Sequence, residues 1–241
     1  MIQAIDLSKR HPGGKLALDA LNLRVAPGEI YCLLGPKGAG KTTVINLFLG
    51  LTEPTSGRAL IGGADVVDDP SAARRRAAFL AESTSFYDRL TVRQNLEFFA
   101  RLAGARAQTA RADSERILRE VGLPESSFDQ RLAALGPGAV RKLGLAVALT
   151  KDAAAFLLDE PLSGVDPKVA AEIVEILEGL RDQGKALLVT LQDLYWVRQL
   201  ADRAGFLQEG RQVLARTREE LRYEDLERLY LDYTRGGLTV R

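Results

Sequence analysis

The run Gly35-Pro36-Lys37-Gly38-Ala39-Gly40-Lys41-Thr42 constrains this chain more than any other feature. It fits the pattern G-x-x-x-x-G-K-[ST] in full, and it sits where that pattern has meaning. Before it lies the continuous apolar run Ile30-Tyr31-Cys32-Leu33-Leu34, read as a buried strand. Behind it, Lys41 to Leu51 reads as a helix, stopped by Pro54 and the turn Thr55-Ser56-Gly57. The glycines let backbone N–H groups turn inward around phosphate oxygens, and the helix N-terminus adds the positive end of its dipole. Lys41 is expected to reach the β- and γ-phosphates of a bound nucleotide, and the Thr42 hydroxyl to ligate Mg²⁺. The predicted nucleotide-binding set is Gly35, Pro36, Lys37, Gly38, Ala39, Gly40, Lys41, Thr42 and Thr43.

A phosphate cradle needs a second half to hold the metal and direct a nucleophile. Phe156-Leu157-Leu158-Asp159-Glu160 supplies it, with two carboxylates closing a short apolar strand that starts at Ala155. The carboxyl edge of the strands is where open α/β sheets bind their ligands. Asp159 is expected to hold Mg²⁺ through its hydration shell, and Glu160 to orient or deprotonate the attacking water. An acidic pair after a strand often just ends that strand in solvent; the phosphate loop is what gives this one meaning.

The remaining pattern agrees with such a sheet. Turn signals at His11-Pro12-Gly13-Gly14 and Ala26-Pro27-Gly28 divide the first 34 residues into short strands. From Thr91 to about Thr150 the apolar spacing becomes helical, with Val92, Leu96, Phe99 and Leu102 on one face and Ile117, Leu118 and Val121 on another. Pro167 to Asp182 then reads as a helix and Ala186 to Thr190 as a further buried strand. Strands alternating with helices predict a parallel sheet covered on both faces.

Composition excludes several classes. Lys plus Arg number 33 and Asp plus Glu 32, so no basic excess points to nucleic acid. No apolar run approaches the roughly 18 residues that span a bilayer. The start, Met1-Ile2-Gln3-Ala4-Ile5, lacks the basic region and apolar core of a secretion signal, so a cytoplasmic protein is expected. The lone Cys32 lies in an apolar strand and reads as a buried small hydrophobe.

With these motifs in place, the chain resembles the ATP-binding cassette family from about Ala4 to Leu221. Leu158-Asp159-Glu160-Pro161-Leu162-Ser163-Gly164-Val165-Asp166-Pro167 is similar to that family's Walker B and D-loop stretch. Ala17-Leu18-Asp19-Ala20-Leu21 and Pro27-Gly28-Glu29-Ile30 resemble the strands before its Walker A. Leu90 to Leu96 resembles the run opening its helical subdomain, and Gly184 to Thr190 the strand before its switch histidine. Asn95 to Leu102 is similar to bacterial export ATPases that pair with a separate membrane subunit.

The resemblance implies an α/β fold: a P-loop NTPase (RecA-like) core with an N-terminal antiparallel β subdomain and a helical insert. It implies one cassette over residues 1–241. Residues 1–83 would carry the β subdomain and the Walker A part of the core, 84–150 the helical subdomain, 151–221 the rest of the core and 222–241 a charged helical tail. It also implies Mg²⁺ with ATP, an integral membrane subunit, and a second cassette as homodimer or heterodimer. The chain would then lie on the inner face of the cell membrane through that partner. Each ATP would touch one cassette's Walker motifs and the other's signature loop.

Four positions depart from the family pattern. The signature loop aligns with Leu135, Gly136, Pro137, Gly138 and Ala139, where Gly136 has no hydroxyl and Pro137 no N–H to offer a phosphate. The Q-loop glutamine aligns with Glu82, a carboxylate that can ligate Mg²⁺ but cannot donate an amide proton. The switch histidine aligns with Gln192, which keeps a donor, and Lys37 stands where asparagine is usual. The expected catalytic residues are thus Glu160, Lys41 and Gln192, and the expected metal ligands Thr42, Asp159 and Glu82. The adenine-stacking position falls near His11, for which base stacking and a solvated turn histidine both stay open. Trp196 reads as packing. Two functions from different classes stay open as well: a transporter motor subunit, favoured by Asp159 and Glu160, and a regulatory ATP-binding subunit that hydrolyses little, favoured by the four departures.

Overall fold

The computed structural model describes residues 1–104 and 110–223. Strands β1 (Ile2–Arg10) and β2 (Leu16–Val25) form the antiparallel pair that the two turn signals delimit. β3 (Glu29–Leu34) leads into the phosphate loop and helix α1 (Lys41–Phe48). β4 (Ser56–Ile61) and β5 (Ala64–Asp65) complete a four-stranded sheet of order β2-β1-β4-β5. Helix α2 (Pro70–Arg76), capped by the Asp69 carboxylate, feeds β6 (Ala77–Leu80).

The helical segment contains α3 (Val92–Leu102), α4 (Ala110–Glu120) and α5 (Pro137–Leu149). The core then resumes with β7 (Ala155–Asp159), α6 (Pro167–Asp182), β8 (Ala186–Leu191) and α7 (Leu194–Leu200). A hairpin of β9 (Arg203–Gln208) and β10 (Arg211–Thr217) precedes α8 (Arg218–Tyr223). The second sheet runs β10-β9-β3-β8-β7-β6 and is parallel apart from β10. Among the described residues no helix is long and apolar enough to cross a membrane.

The unbroken apolarity of β3 follows from burial on both faces. Successive side chains of a strand point to opposite sides. Ile30, Cys32 and Leu34 therefore enter one core with Phe156, Leu158, Val189 and the helical segment. Tyr31 and Leu33 enter a second core with Leu157, Leu188, α1 and the four-stranded sheet. Cys32 is fully buried and burial pushes its thiol pKa up, so it stays protonated and inert.

One sequence expectation changes at this level. Helix α1 ends at Phe48, not Leu51. Gly50, with φ +65°, donates to Leu47 O while Leu51 N–H donates to Asn46 O, which closes the last turn as a Schellman motif. The stop was Gly50, a stronger signal than Pro54. The charged helical tail expected over 222–241 lies outside the described residues beyond Tyr223.

The loop between β6 and α3 is organised by one buried amide. Asn95 is fully buried; its Oδ1 accepts from Tyr87 N–H at 2.9 Å, and its Nδ2 donates to the carbonyls of Tyr87 and Thr91, each at 3.0 Å. Phe86 folds inward on Phe99 (ring centroids 5.5 Å), while Tyr87 lies half-exposed against the edge of Phe98. Beside them opens an apolar groove of about 490 Å³ lined by Phe48, Leu51, Phe79, Phe99, Ala103 and Val147. Trp196 is partly buried against the core, as its packing role predicts.

Asn95→Ala should strand the Tyr87 N–H, while the Tyr87 and Thr91 carbonyls keep the backbone donors of Leu90 and residue 95. The expected cost is about 1–3 kcal/mol for the unmet N–H, read as a lower urea midpoint at unchanged slope.

Candidate active site

The phosphate loop is shaped by what surrounds it as much as by its own glycines. Gly40 (φ +111°) caps α1 in a conformation side chains rarely adopt, and a Cβ there would sit 2.6 Å from Ala17 O. A Cβ on Gly35 would sit 2.3 Å from Leu207 O. The crowding comes from β2 and β9, and the β9–β10 turn bonds the loop between them: Gly210 N–H donates to Ala39 O (2.9 Å), and Gly210 O accepts from Asp19 N–H (2.8 Å). The hairpin thus ties the loop to β2. The loop pattern alone carries no sign of this brace.

Lys41 is 6% exposed. Its Nζ donates to Gly35 O (2.6 Å) and lies 3.3 Å from Glu160 Oε1. The parallel pairing of β7 with β8 brings the opposing wall into place, with Asp159 level with Thr190. The Thr190 hydroxyl donates to Asp159 Oδ1 (2.6 Å) and accepts from Glu160 N–H (2.9 Å). Glu160 has φ +50°, a strained conformation for a residue with a side chain, and Thr190 helps to hold it there. Gln192 Nε2 donates to Glu160 Oε1 at 3.0 Å.

Lys41, Glu160 and Gln192 face one cleft of about 820 Å³, within the roughly 300–1,000 Å³ of small-molecule sites. The phosphate loop with Thr42 and Thr43, His11, Glu82, Glu160 and Gln192 all border it. His11 is exposed on its wall beside Leu16 and Ala17. Leu135 to Ala139 do not border it. Gly136 caps α5 with no side-chain bond, Pro137 follows at the first helical position, and both are exposed. The N–H groups of Ala139 and Val140 are already turned on Gly136 O.

The donor set fits a hydrated cation held partly by phosphate. Asp159 is 3% exposed, forms no ion pair among the described residues and bonds the Thr190 hydroxyl; it is not itself among the cleft-lining residues but directly precedes Glu160, which is. Thr42 offers a hydroxyl and Glu82 a second carboxylate on the walls. Among the described residues no three His, Cys, Asp or Glu side chains gather into a metal cage. Mg²⁺ seldom uses such a cage, because it keeps waters and takes substrate phosphates as ligands. Thr190 escaped the sequence reading. Its only trace there is a hydroxyl ending an otherwise apolar strand.

Fold and cleft together define a P-loop nucleoside triphosphatase. The family model for the ABC transporter matches residues 18–163. The chain is 36% identical over 220 residues, 91% of its length, to the "Daunorubicin resistance ATP-binding protein DrrA3" of Streptomyces coeruleorubidus. It is 36% identical over 208 residues, 86% of its length, to the "Nod factor export ATP-binding protein I" of Burkholderia orbicola (strain AU 1054). It spans 69% and 68% of those two relatives. A solved ATP-binding subunit of an ABC transporter superposes with a TM-score of 0.83 at 27% identity, covering 97% of this chain and 99% of that one. The chain belongs to the ABC transporter family, in the class of its ATP-binding ATPase subunits.

Thr190→Val keeps the shape and removes the hydroxyl, leaving Asp159 Oδ1 and Glu160 N–H buried without it. Stability should fall by about 1–3 kcal/mol. Nucleotide-dependent phosphate release should fall with it, since Glu160 loses its backbone anchor; a variant with wild-type melting and turnover would show that the hydroxyl is dispensable.

Proposed function

We propose that the cleft binds Mg-ATP and that Glu160, Lys41 and Gln192 form its hydrolytic set. The observation that carries this reading is the meeting of two separate loops at one point: Lys41 Nζ and Gln192 Nε2 both lie on Glu160 Oε1, at 3.3 and 3.0 Å. Lys41 is turned on the loop's own carbonyls and on Glu160. Bound phosphates compete for the same ammonium, which frees Glu160 to accept a proton from water. Gln192 then orients the Glu160 carboxylate. Thr42 and Asp159, with Glu82 beside them, would hold Mg²⁺, which supplies charge neutralisation at the phosphates. His11, exposed on the cleft wall, would stack on the base.

In this reading the cassette pairs with another through Leu135 to Ala139, and residues 84–150 act as the helical unit between 1–83 and 151–221. The exposed Gly136 and Pro137 present few donors to a phosphate across a dimer interface. Removing one preorganised donor typically costs about 10²–10³ in rate. The lone chain should therefore hydrolyse ATP slowly, and a heterodimer with an intact cassette would give one stronger and one weaker site. The same loop supports the second reading, a regulatory ATP-binding subunit that barely turns over. Lys41→Ala should abolish binding of a fluorescent ATP analogue, and Glu160→Gln should remove the residual phosphate release while leaving binding intact. A brisk Glu160-dependent rate from the purified chain alone would contradict the slow-site assignment.

A membrane subunit completes the proposal and would place the chain on the cytoplasmic face of the cell membrane. Its short cytoplasmic helix would enter the apolar groove by Phe79 and Phe99, against the half-exposed Tyr87 and the exposed Leu51. Cysteines at Tyr87 and Leu51 should crosslink in cells to a multi-spanning protein. Failure of both to do so would remove the support for this docking site.

A further inference from the structure

Helix α5 begins at the loop that Gly136 caps, and its side chains reach back into the chain's own site. Arg141 Nη1 donates to Ala81 O at 3.1 Å, and Nη2 donates to Ser163 O at 3.1 Å. Ala81 immediately precedes Glu82 on the cleft wall. Ser163 closes a turn on Glu160 by donating its N–H to Glu160 O at 3.1 Å. One planar guanidinium therefore bridges two loops that are far apart in sequence, each a step from a carboxylate of the cleft.

We propose that Arg141 is a positioning residue for hydrolysis: it couples the Glu82 loop and the turn after Glu160 to helix α5, so that both carboxylates move with the helix. The inference rests on the nucleotide-site reading above. Three observations support it beyond the two bonds. A guanidinium presents its donors as a rigid fork, so the distance between the two carbonyls is held by the side chain itself. Gly144 stands one turn further on the same side of α5, where a Cβ would come within 2.7 Å of Leu80 Cδ1; the helix is thus packed closely on the strand that leads into Ala81. Finally, the Glu82, Glu160 and Asp159 carboxylates all act on Arg141, opposing the burial that lowers its pKa. The bridge is a fixed positive charge set among the acidic groups of the site.

The geometry has a mechanical consequence. The exposed loop at the start of α5 is the part that would meet a second cassette. Any displacement of α5 on that encounter passes through Arg141 to both Glu82 and Glu160 without a contact to the nucleotide.

Hydrogen exchange of the purified full chain tests this directly. Arg141 borders an open cavity of about 370 Å³ shared with Glu82, Thr84 and Ser163, so water can replace its N–H groups and Arg141→Ala should fold. In that variant, amide exchange should rise about tenfold in both 81–84 and 161–165, and stay unchanged in β3 and β8. The affinity for a fluorescent ATP analogue should stay within about twofold, because the phosphate loop is untouched, while kcat falls about 10–100-fold at similar KM. Arg141→Lys should not restore kcat, since a single ammonium lacks the fork. Arg141→Gln, whose amide reaches one carbonyl, should loosen at least one of the two loops and serves if the alanine variant is insoluble. Unchanged exchange in both loops would overturn the proposal, as would full rescue by lysine or a uniform rise across the chain. A wild-type chain that binds no ATP analogue would instead sink the nucleotide reading, and the exchange comparison would still decide the bridge.

Discussion

The site depends on a charge pair that is nearly dry. Lys41 and Glu160 are 6% and 5% exposed and face each other at 3.3 Å. Removing one partner from such a pair typically costs about 3–5 kcal/mol, because the other charge is left uncompensated. The rest of the structure serves to make that meeting possible. Lys41 is carried in from α1 by a loop wedged under the β9–β10 turn. Glu160 is carried in from β7 and held at a positive φ by the Thr190 hydroxyl. In the proposed reading a triphosphate brings negative charge that competes with Glu160 for the same ammonium, and a cation carried with the nucleotide would offset the Asp159 carboxylate.

The departures at Glu82, Gly136, Pro137 and Gln192 act on different parts of this arrangement. Gln192 retains a donor and spends it on Glu160, so that carboxylate stays oriented within the chain's own cleft. Glu82 adds a carboxylate to the wall, and Arg141 lies within its field. The loss is concentrated at Gly136 and Pro137, which stand outside the chain's own cleft. In the proposed reading the cis groups and the trans loop are therefore separable: the first would be assembled within one chain and the second would offer few donors.

Much of this was legible in the residues. The phosphate loop, the apolar strand before it, the Asp159–Glu160 pair and the helix over Pro167–Asp182 all carry local signals: glycine spacing, unbroken apolarity, and a helix start marked by Asp166 and Pro167. The helix after the loop was read three residues too long because Pro54 was taken as its stop, when Gly50 closes it first. The hairpin that braces the loop, the Thr190 bridge and the Arg141 fork were not legible. Each joins residues 20 or more positions apart through a backbone carbonyl or a single hydroxyl, and no periodicity marks such a pairing.

By itself, the sequence determined which chemical groups are available and in what local form: a glycine loop that can wrap phosphate, an ammonium at its end, two carboxylates at a strand terminus. Those are short-range properties, set by φ/ψ freedom and side-chain chemistry within a few residues. Only the tertiary structure decided which of these groups meet. The parallel register of β7 on β8 sets Asp159 against Thr190, and the order β3-β8-β7 brings Lys41 to Glu160. Sheet order is fixed by burying both faces of β3 at once, a cooperative gain of the whole core to which no single segment holds the key.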